Sequence, residues 1–493
     1  MIAMDYSLLL DLFREPVLLL YLAAGTLAGI YVGAIPGLSG TMAISLLISV
    51  TFGWDTYASI ALITGVYVGV VFGGSRSAIL LNIPGAPAAV ATSFDGYPLA
   101  QQGKAGKAMA LATIQSVIGT LFGAAVMLFL TPQVARIALS FRSVDYLLLS
   151  FIGFMCVGSM GTKSVVKGIF AAALGVFLGS IGTDSMTAVR RFTFGSAYLN
   201  SGVNFIVALI GLFGASEALL QLENPASEGI RQAAKHTLPK LRELLIHLPL
   251  TLKSAVIGVL IGALPGAGGD IAALLAYDSA RRSCKTNKVP FGKGAVEGVI
   301  APETANNAAI GGAFIPMLTL GIPGDSVTAI FISALMLSGL RPGPEFLSSS
   351  PDIFMLLVSC LVVGAIFMLI FGLSGIKVFS MLTRLNRSVL MPLILIISAV
   401  GAYAVNGNLY DIFWMFGFGV LGWLLKKHDY PIGPVVLGII LRELMENNLR
   451  RALMLSGSAG TLFTGIFTRP ISIILFVLVV ATGVTQALRR RQK

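Results

Sequence analysis

Apolar residues run through this chain in long stretches separated by short polar or basic ones, and the longest stretches have no polar face. Ile471 to Val484 reads ISIILFVLVVATGV, apolar on every side of a helix. A transmembrane barrel needs short strands that alternate apolar and polar. Stretches that reach or approach the ~20 residues a helix needs to cross a bilayer predict instead an all-α polytopic membrane protein of roughly ten to twelve transmembrane helices.

Four segments break this pattern with Gly and Pro. GAIPGLSGT (Gly33 to Thr41) is nearly repeated by GALPGAGGD (Gly262 to Asp270), and GGSRSAILLNIPG (Gly73 to Gly85) by GGAFIPMLTLGIPG (Gly311 to Gly324). Inside a helix Pro costs ~3 kcal/mol and Gly ~1 kcal/mol relative to Ala. Unpaired backbone facing lipid costs several kcal/mol more per group. Such breaks survive only within protein or against water, so they predict re-entrant or broken helices whose exposed ends can hold a solute.

The order of the motifs predicts two internal repeats. Gly29, Gly33, Ala34, Pro36, Gly37 and Gly40 pair with Gly258, Gly262, Ala263, Pro265, Gly266 and Gly269 at one spacing; the second motif pairs if one residue is inserted. This divides the chain into a first half (1–221), a basic linker (222–253) and a second half (254–493). Lys253 and Arg281 flank 254–280 with positive charge on both sides, which predicts a re-entrant hairpin entering and leaving from the cytoplasm with arms of about ten residues, each reaching about halfway through the bilayer. The first copy lacks a basic flank, so the repeats are expected to be inverted. PIGPVVLGIIL, from Pro431, is short enough for a re-entrant or interfacial piece.

Composition agrees. Of 493 residues, 56% are hydrophobic and 11% charged, and the mean hydropathy is +0.88. The net charge of +12 lies in clusters between apolar runs, such as Lys426-Lys427 and the terminal RRRQK, rather than on one stripe. That pattern reports topology with a cytoplasmic C-terminus, not a nucleic-acid partner. The N-terminal stretch does not read as a cleaved signal peptide. Three scattered Cys and three His outside the apolar spans predict neither disulfides nor a structural metal, and no cofactor is expected.

Helix N-termini present unpaired N–H groups and the positive end of a dipole, a site for an anion. The candidates following the breaks are Gly37, Leu38, Ser39, Gly40 and Thr41; Asn82, Pro84 and Gly85; Gly266, Ala267, Gly268, Gly269 and Asp270; and Pro323, Gly324, Asp325 and Ser326. For each end the plainer reading is a kink whose Ser, Thr or Asp caps its own helix. In APETANNAAIGG, Glu303, Asn306 and Asn307 share one helical face. Their oxygens, with Asn82 and Asp325, are hard ligands suited to a coupling Na+ or, through a carboxylate, H+. Arg76 suits a substrate carboxylate, and equally a snorkelling position or an acidic partner. GLSG lacks a general base for serine chemistry and its repeat reads GAGG; the Gly-rich loops lack the Lys-Ser/Thr ending of a P-loop. No enzymatic activity is expected.

GAIPGLSG, FGGSRSAILLNIPG, DGYPLAQQGKAGKA, GALPGAGG, APETANNAAIGGAFIPMLTLGIPG, LRPGP and ENNLRRAL together resemble the large membrane subunit of tripartite tricarboxylate transporters. The resemblance implies a bacterial inner-membrane permease that works with a small membrane subunit and a periplasmic binding protein. It implies uptake of di- and tricarboxylates or related organic anions on an ion gradient. It places the central site at Gly37–Thr41, Asn82–Gly85, Gly266–Asp270 and Pro323–Ser326. A passive anion channel and a non-transporting membrane scaffold are the competing readings.

Overall fold

The computed structural model describes all residues except 1–6, 8, 10, 36–37, 83, 159–164, 185–186, 224–237, 285–288, 376–386 and 492–493. The described chain is almost wholly helical: α1 (Pro16–Ala34), α2 (Gly40–Val50), α3 (Thr56–Leu81), α4 (Ala89–Leu99), α5 (Ala105–Ala138), α6 (Ser143–Gly158), α7 (Val165–Gly179) and α8 (Phe205–Glu223). There follow α9 (Leu248–Gly262), α10 (Gly268–Ser283), α11 (Glu297–Leu320), α12 (Ser326–Leu337), α13 (Pro351–Ser374), α14 (Arg387–Asn406), α15 (Leu409–Lys427), α16 (Ile432–Ser456) and α17 (Pro470–Arg491). One two-stranded hairpin pairs Gly182–Thr183 with Arg190–Arg191. Among the described residues, 6 helices are long and apolar enough to cross a bilayer alone, and a pair bent by 99° at Gly460–Ile466 and Pro470–Ala481 raises this to 7. Several further apolar helices have only 10–17 residues, because Gly and Pro cut the apolar runs into halves.

Where lipid removes the hydrophobic drive between helices, close packing of small residues takes over. α1 crosses α3 along Gly25, Gly29 and Gly33 against Gly65, Gly69 and Gly73. A Cβ on Gly29 would fall on the Val66 carbonyl oxygen, one on Gly33 on that of Val70, and one on Gly73 on that of Ile30. The second half repeats each contact between α9 and α11: Gly258 on Ala305, Gly262 on Ala309, Gly312 on Val259. Gly85 lies on the Gly33 carbonyl and Gly324 on the Gly262 carbonyl. Asn82 and Gly321, which end α3 and α11, are both left-handed, with φ of 55° and 70°. These contacts align Gly73 with Gly312 and Gly85 with Gly324 at one spacing, so the second motif pairs without an inserted residue.

The hairpin arms are longer than the sequence suggests, 15 residues in α9 and 16 in α10, because Leu248–Lys253 of the expected linker forms the first turns of α9. Arg231 and Lys235 of that linker, and Gly37, lie outside the described residues. PIGPVVLGIIL opens a continuous helix of 25 residues, α16, which packs on α7 where Gly175 meets the Val435 carbonyl.

Candidate functional site

The broken ends converge on one cavity of about 330 Å³. This is at the small end of the ~300–1,000 Å³ typical of small-molecule sites. The first half contributes Leu38, Ser39, Gly40, Thr41, Tyr67 and Gly85; the second contributes Gly266 to Asp270, Asn306, Asp325 and Ser326. Phe213 of α8 and Pro431, Gly433 and Pro434 at the start of α16 complete the wall.

Two of the helix starts are capped by their own side chains. Ser39 Oγ accepts from Met42 N at 3.1 Å and is 2.9 Å from Thr41 Oγ1. Asp325 Oδ1 accepts from Thr328 N at 2.7 Å while Thr328 Oγ1 accepts from Asp325 N at 2.9 Å, a capping box. The second carboxylate oxygen of Asp325 accepts from Tyr67 Oη at 2.7 Å, which joins α3 of the first half to α12 of the second. α10 and α16 start without a side-chain cap, behind Ala267 and Pro431. Both starts line the cavity, and Asp270 brings negative charge to the first turn of α10. Asp270, in the first turn of α10, accepts from the Ala88 backbone N–H and lies within electrostatic reach of Asp325.

Glycine permits this approach. Gly268 has φ +60° with Asp325 Cβ at 3.0 Å from the place its own Cβ would occupy, and a Cβ on Gly269 would collide with Asn306 Oδ1. Asn306 donates to the Val71 carbonyl at 3.3 Å, which turns its amide oxygen toward the α10 start. Among the described lining residues there is no Lys, Arg or His; the polar lining is hydroxyl, amide, carboxylate and backbone.

Other candidate residues stand behind the wall. Arg76 is fully buried, donates to Met109 O at 2.9 Å and Thr113 Oγ1 at 3.0 Å, and lies over the Phe72 ring at 4.1 Å. Glu303 accepts from Thr92 Oγ1 at 2.5 Å and Ser116 Oγ at 3.0 Å, and Asn307 donates to the Glu303 carbonyl at 2.9 Å. Of the Glu303, Asn306 and Asn307 face, the structure brings Asn306 alone to the cavity. Pro323 and Gly324 are buried under the α12 start and Pro84 precedes the lining loop. Asn82 is exposed and ends α3 in the left-handed conformation. Since Gly adopts that conformation freely and other residues pay about 1–2 kcal/mol, Asn82→Gly is expected to retain wild-type uptake. Asn82→Val is expected to lose about 2 kcal/mol of stability in a thermal unfolding assay.

Tyr67, Phe213 and the start of α16 are lining residues that sequence reasoning does not select. Tyr67 has one signal in retrospect: it occupies in α3 the position that Asn306 occupies in α11. Pro431-Ile432-Gly433-Pro434 has the Gly/Pro character of the other four breaks.

The fold defines a polytopic membrane protein with a cavity built where broken helices meet. A model of the tripartite tricarboxylate transporter TctA family matches residues 19–437, and the chain belongs to that family. It is 34% identical over 470 residues, 95% of this chain and 93% of the relative, to an Agrobacterium vitis protein described as an uncharacterized 52.8 kDa protein in the TAR-I ttuC' 3' region. A second Agrobacterium vitis protein, from the TAR-II ttuC' 3' region, is 36% identical over 215 residues, 44% of this chain and 87% of the relative. No solved structure matches the chain. Membership makes the chain the permease subunit of a tripartite transporter, a class that implies a small membrane subunit and a periplasmic binding protein, and points to transport rather than catalysis.

Proposed function

We propose that the chain imports di- or tricarboxylates across the bacterial inner membrane by secondary active transport. A binding protein delivers substrate, and Na+ or H+ enters with it. The observation that carries this reading is the cavity itself: uncapped starts of α10 and α16 supply N–H donors for a carboxylate, while Asp270 and Asp325 stand in the same wall. Two like charges about 6 Å apart repel by roughly 3 kcal/mol at an effective dielectric of about 20. An anionic substrate beside two carboxylates therefore calls for a cation or a proton to neutralise them. Ser39, Thr41, Asn306, Asp270 and Asp325 offer hard oxygen ligands for that purpose.

The two halves act as inverted repeats in this reading, with the glycine-packed pairs α1–α3 and α9–α11 carrying the site. α7, α8 and α14 to α16 form the scaffold against which it moves. The C-terminus is cytoplasmic. The test is uptake of labelled citrate and C4-dicarboxylates into proteoliposomes holding this chain and its small membrane partner, with binding protein and an inward Na+ or H+ gradient added separately and together. Concentrative uptake that requires both is expected. Downhill flux indifferent to both would replace this reading with a passive channel.

A further inference from the structure

Away from the central cavity, the outer side of the α9–α10 hairpin carries a second recess, an open groove of about 440 Å³ lined by Lys253, Leu275, Asp278, Ser279, Arg282 and Ser283. Lys253 Nζ donates to Ser283 Oγ at 3.3 Å, a neutral partner, and Arg282 pairs with Asp278. The lining thus holds two cations against one carboxylate, together with two serines.

From this base an apolar ridge climbs α9. Leu252, Val256, Leu260 and Leu264 follow one another at four-residue spacing and are 45% to 63% exposed. Its helical part, Leu252 to Leu260, is about 12 Å long at ~1.5 Å per residue, and Leu264 extends it into the turn beyond α9. That reach is close to the roughly 15 Å thickness of one leaflet's hydrocarbon. It ends beside Pro265, at the turn whose next residues line the cavity. Leu274 and Leu275 of α10 are also exposed, and Leu275 lines the groove. A cationic, hydroxyl-bearing base joined to an apolar strip one leaflet long is complementary to an amphiphile with an anionic head.

We propose that this groove binds an anionic phospholipid of the leaflet into which the hairpin inserts. Lys253, Arg282, Ser279 and Ser283 hold the phosphate, and one acyl chain lies along Leu252, Val256, Leu260 and Leu264. The bound lipid braces the arm that ends in the cavity turn.

Native mass spectrometry of the detergent-purified full chain, titrated with phosphatidylglycerol or phosphatidylcholine, tests this without any transport readout, so its outcome is independent of the transport assay. Wild type is expected to retain phosphatidylglycerol in preference to phosphatidylcholine. A basic residue near an anionic headgroup contributes about fivefold in affinity. Lys253→Ala with Arg282→Ala is therefore expected to weaken phosphatidylglycerol retention about twenty-five-fold. Lys240→Ala with Arg242→Ala, which leaves the groove intact, should change it less than twofold. Val256→Ser with Leu260→Ser should weaken retention while the charges remain. Equal retention of the two lipids, no effect of the groove variant, or displacement of the lipid by excess inorganic phosphate would each overturn the proposal.

Discussion

Asp325→Ala is expected to abolish measurable uptake while leaving a folded, monodisperse protein. The carboxylate caps α12 and accepts the Tyr67 hydroxyl. Losing an N-cap costs about 1 kcal/mol. Stranding a buried hydroxyl costs about 1–3 kcal/mol more. The sum, roughly 3 kcal/mol, falls on the packing of the α12 start beside the cavity, and the lost negative charge removes a ligand for the coupling cation besides. Asp325→Asn keeps an oxygen for the Thr328 amide, removes the charge, and reverses the Tyr67 contact, since its Nδ2 donates where the carboxylate accepted. It is expected to retain stability but to lose its dependence on the coupling ion. Half-saturation constants for substrate and ion in proteoliposomes decide the matter: an Asp325→Ala variant with wild-type values for both would remove Asp325 from the site.

The second large effect lies at Gly85 and Gly324. Each sits on the carbonyl of a glycine in the preceding broken helix, Gly33 and Gly262, and a methyl group at either would be driven into backbone rather than into a side chain that can turn away. Overpacking costs typically 1–3 kcal/mol. Gly85→Ala and Gly324→Ala are each expected to lose about 3 kcal/mol and to displace the lining loop enough to stop uptake. Gly417→Ala on α15, where no atom lies within 4 Å, should be neutral. Thermal unfolding and uptake are measured together. A variant at Gly85 that behaves like the one at Gly417 would contradict the packing, and a large difference between Gly85 and Gly324 would contradict the equivalence of the two halves.

The breaks were legible in the sequence because Gly and Pro are costly inside a helix and so stand out from an apolar background. Residues immediately beside them, Ser39, Thr41, Asp270 and Asp325, could be named for the same reason. What could not be read is which way a side chain points within an unbroken span. α3 is apolar nearly all round and buried for most of its length, so periodicity gives no face to the cavity. Tyr67 faces it and Arg76, on the same helix, turns to Met109 and Thr113 instead. Asn82 was conspicuous as a polar residue before Pro84, but its backbone conformation accounts for its place. The start of α16 was hidden because it has no partner in the duplicated pattern, and a fifth helix end can be recognised only when the others are seen around it.

The contacts of Gly29, Gly33, Gly73 and Gly85 recur at Gly258, Gly262, Gly312 and Gly324, but the side chains the two halves present are not the same. Thr41 corresponds to Asp270, Tyr67 to Asn306 and Ala86 to Asp325, so both carboxylates come from the second half and the hydroxyls of Ser39, Thr41 and Tyr67 from the first. A near-symmetric frame thus encloses an asymmetric pocket: both negative charges come from one half, and the other half brings neutral hydroxyls, one of which, Tyr67, bonds Asp325 directly. A ligand with several carboxylates has one favoured way to lie in such a pocket rather than two related by the frame, with its most negative end turned from the aspartates unless a cation lies between.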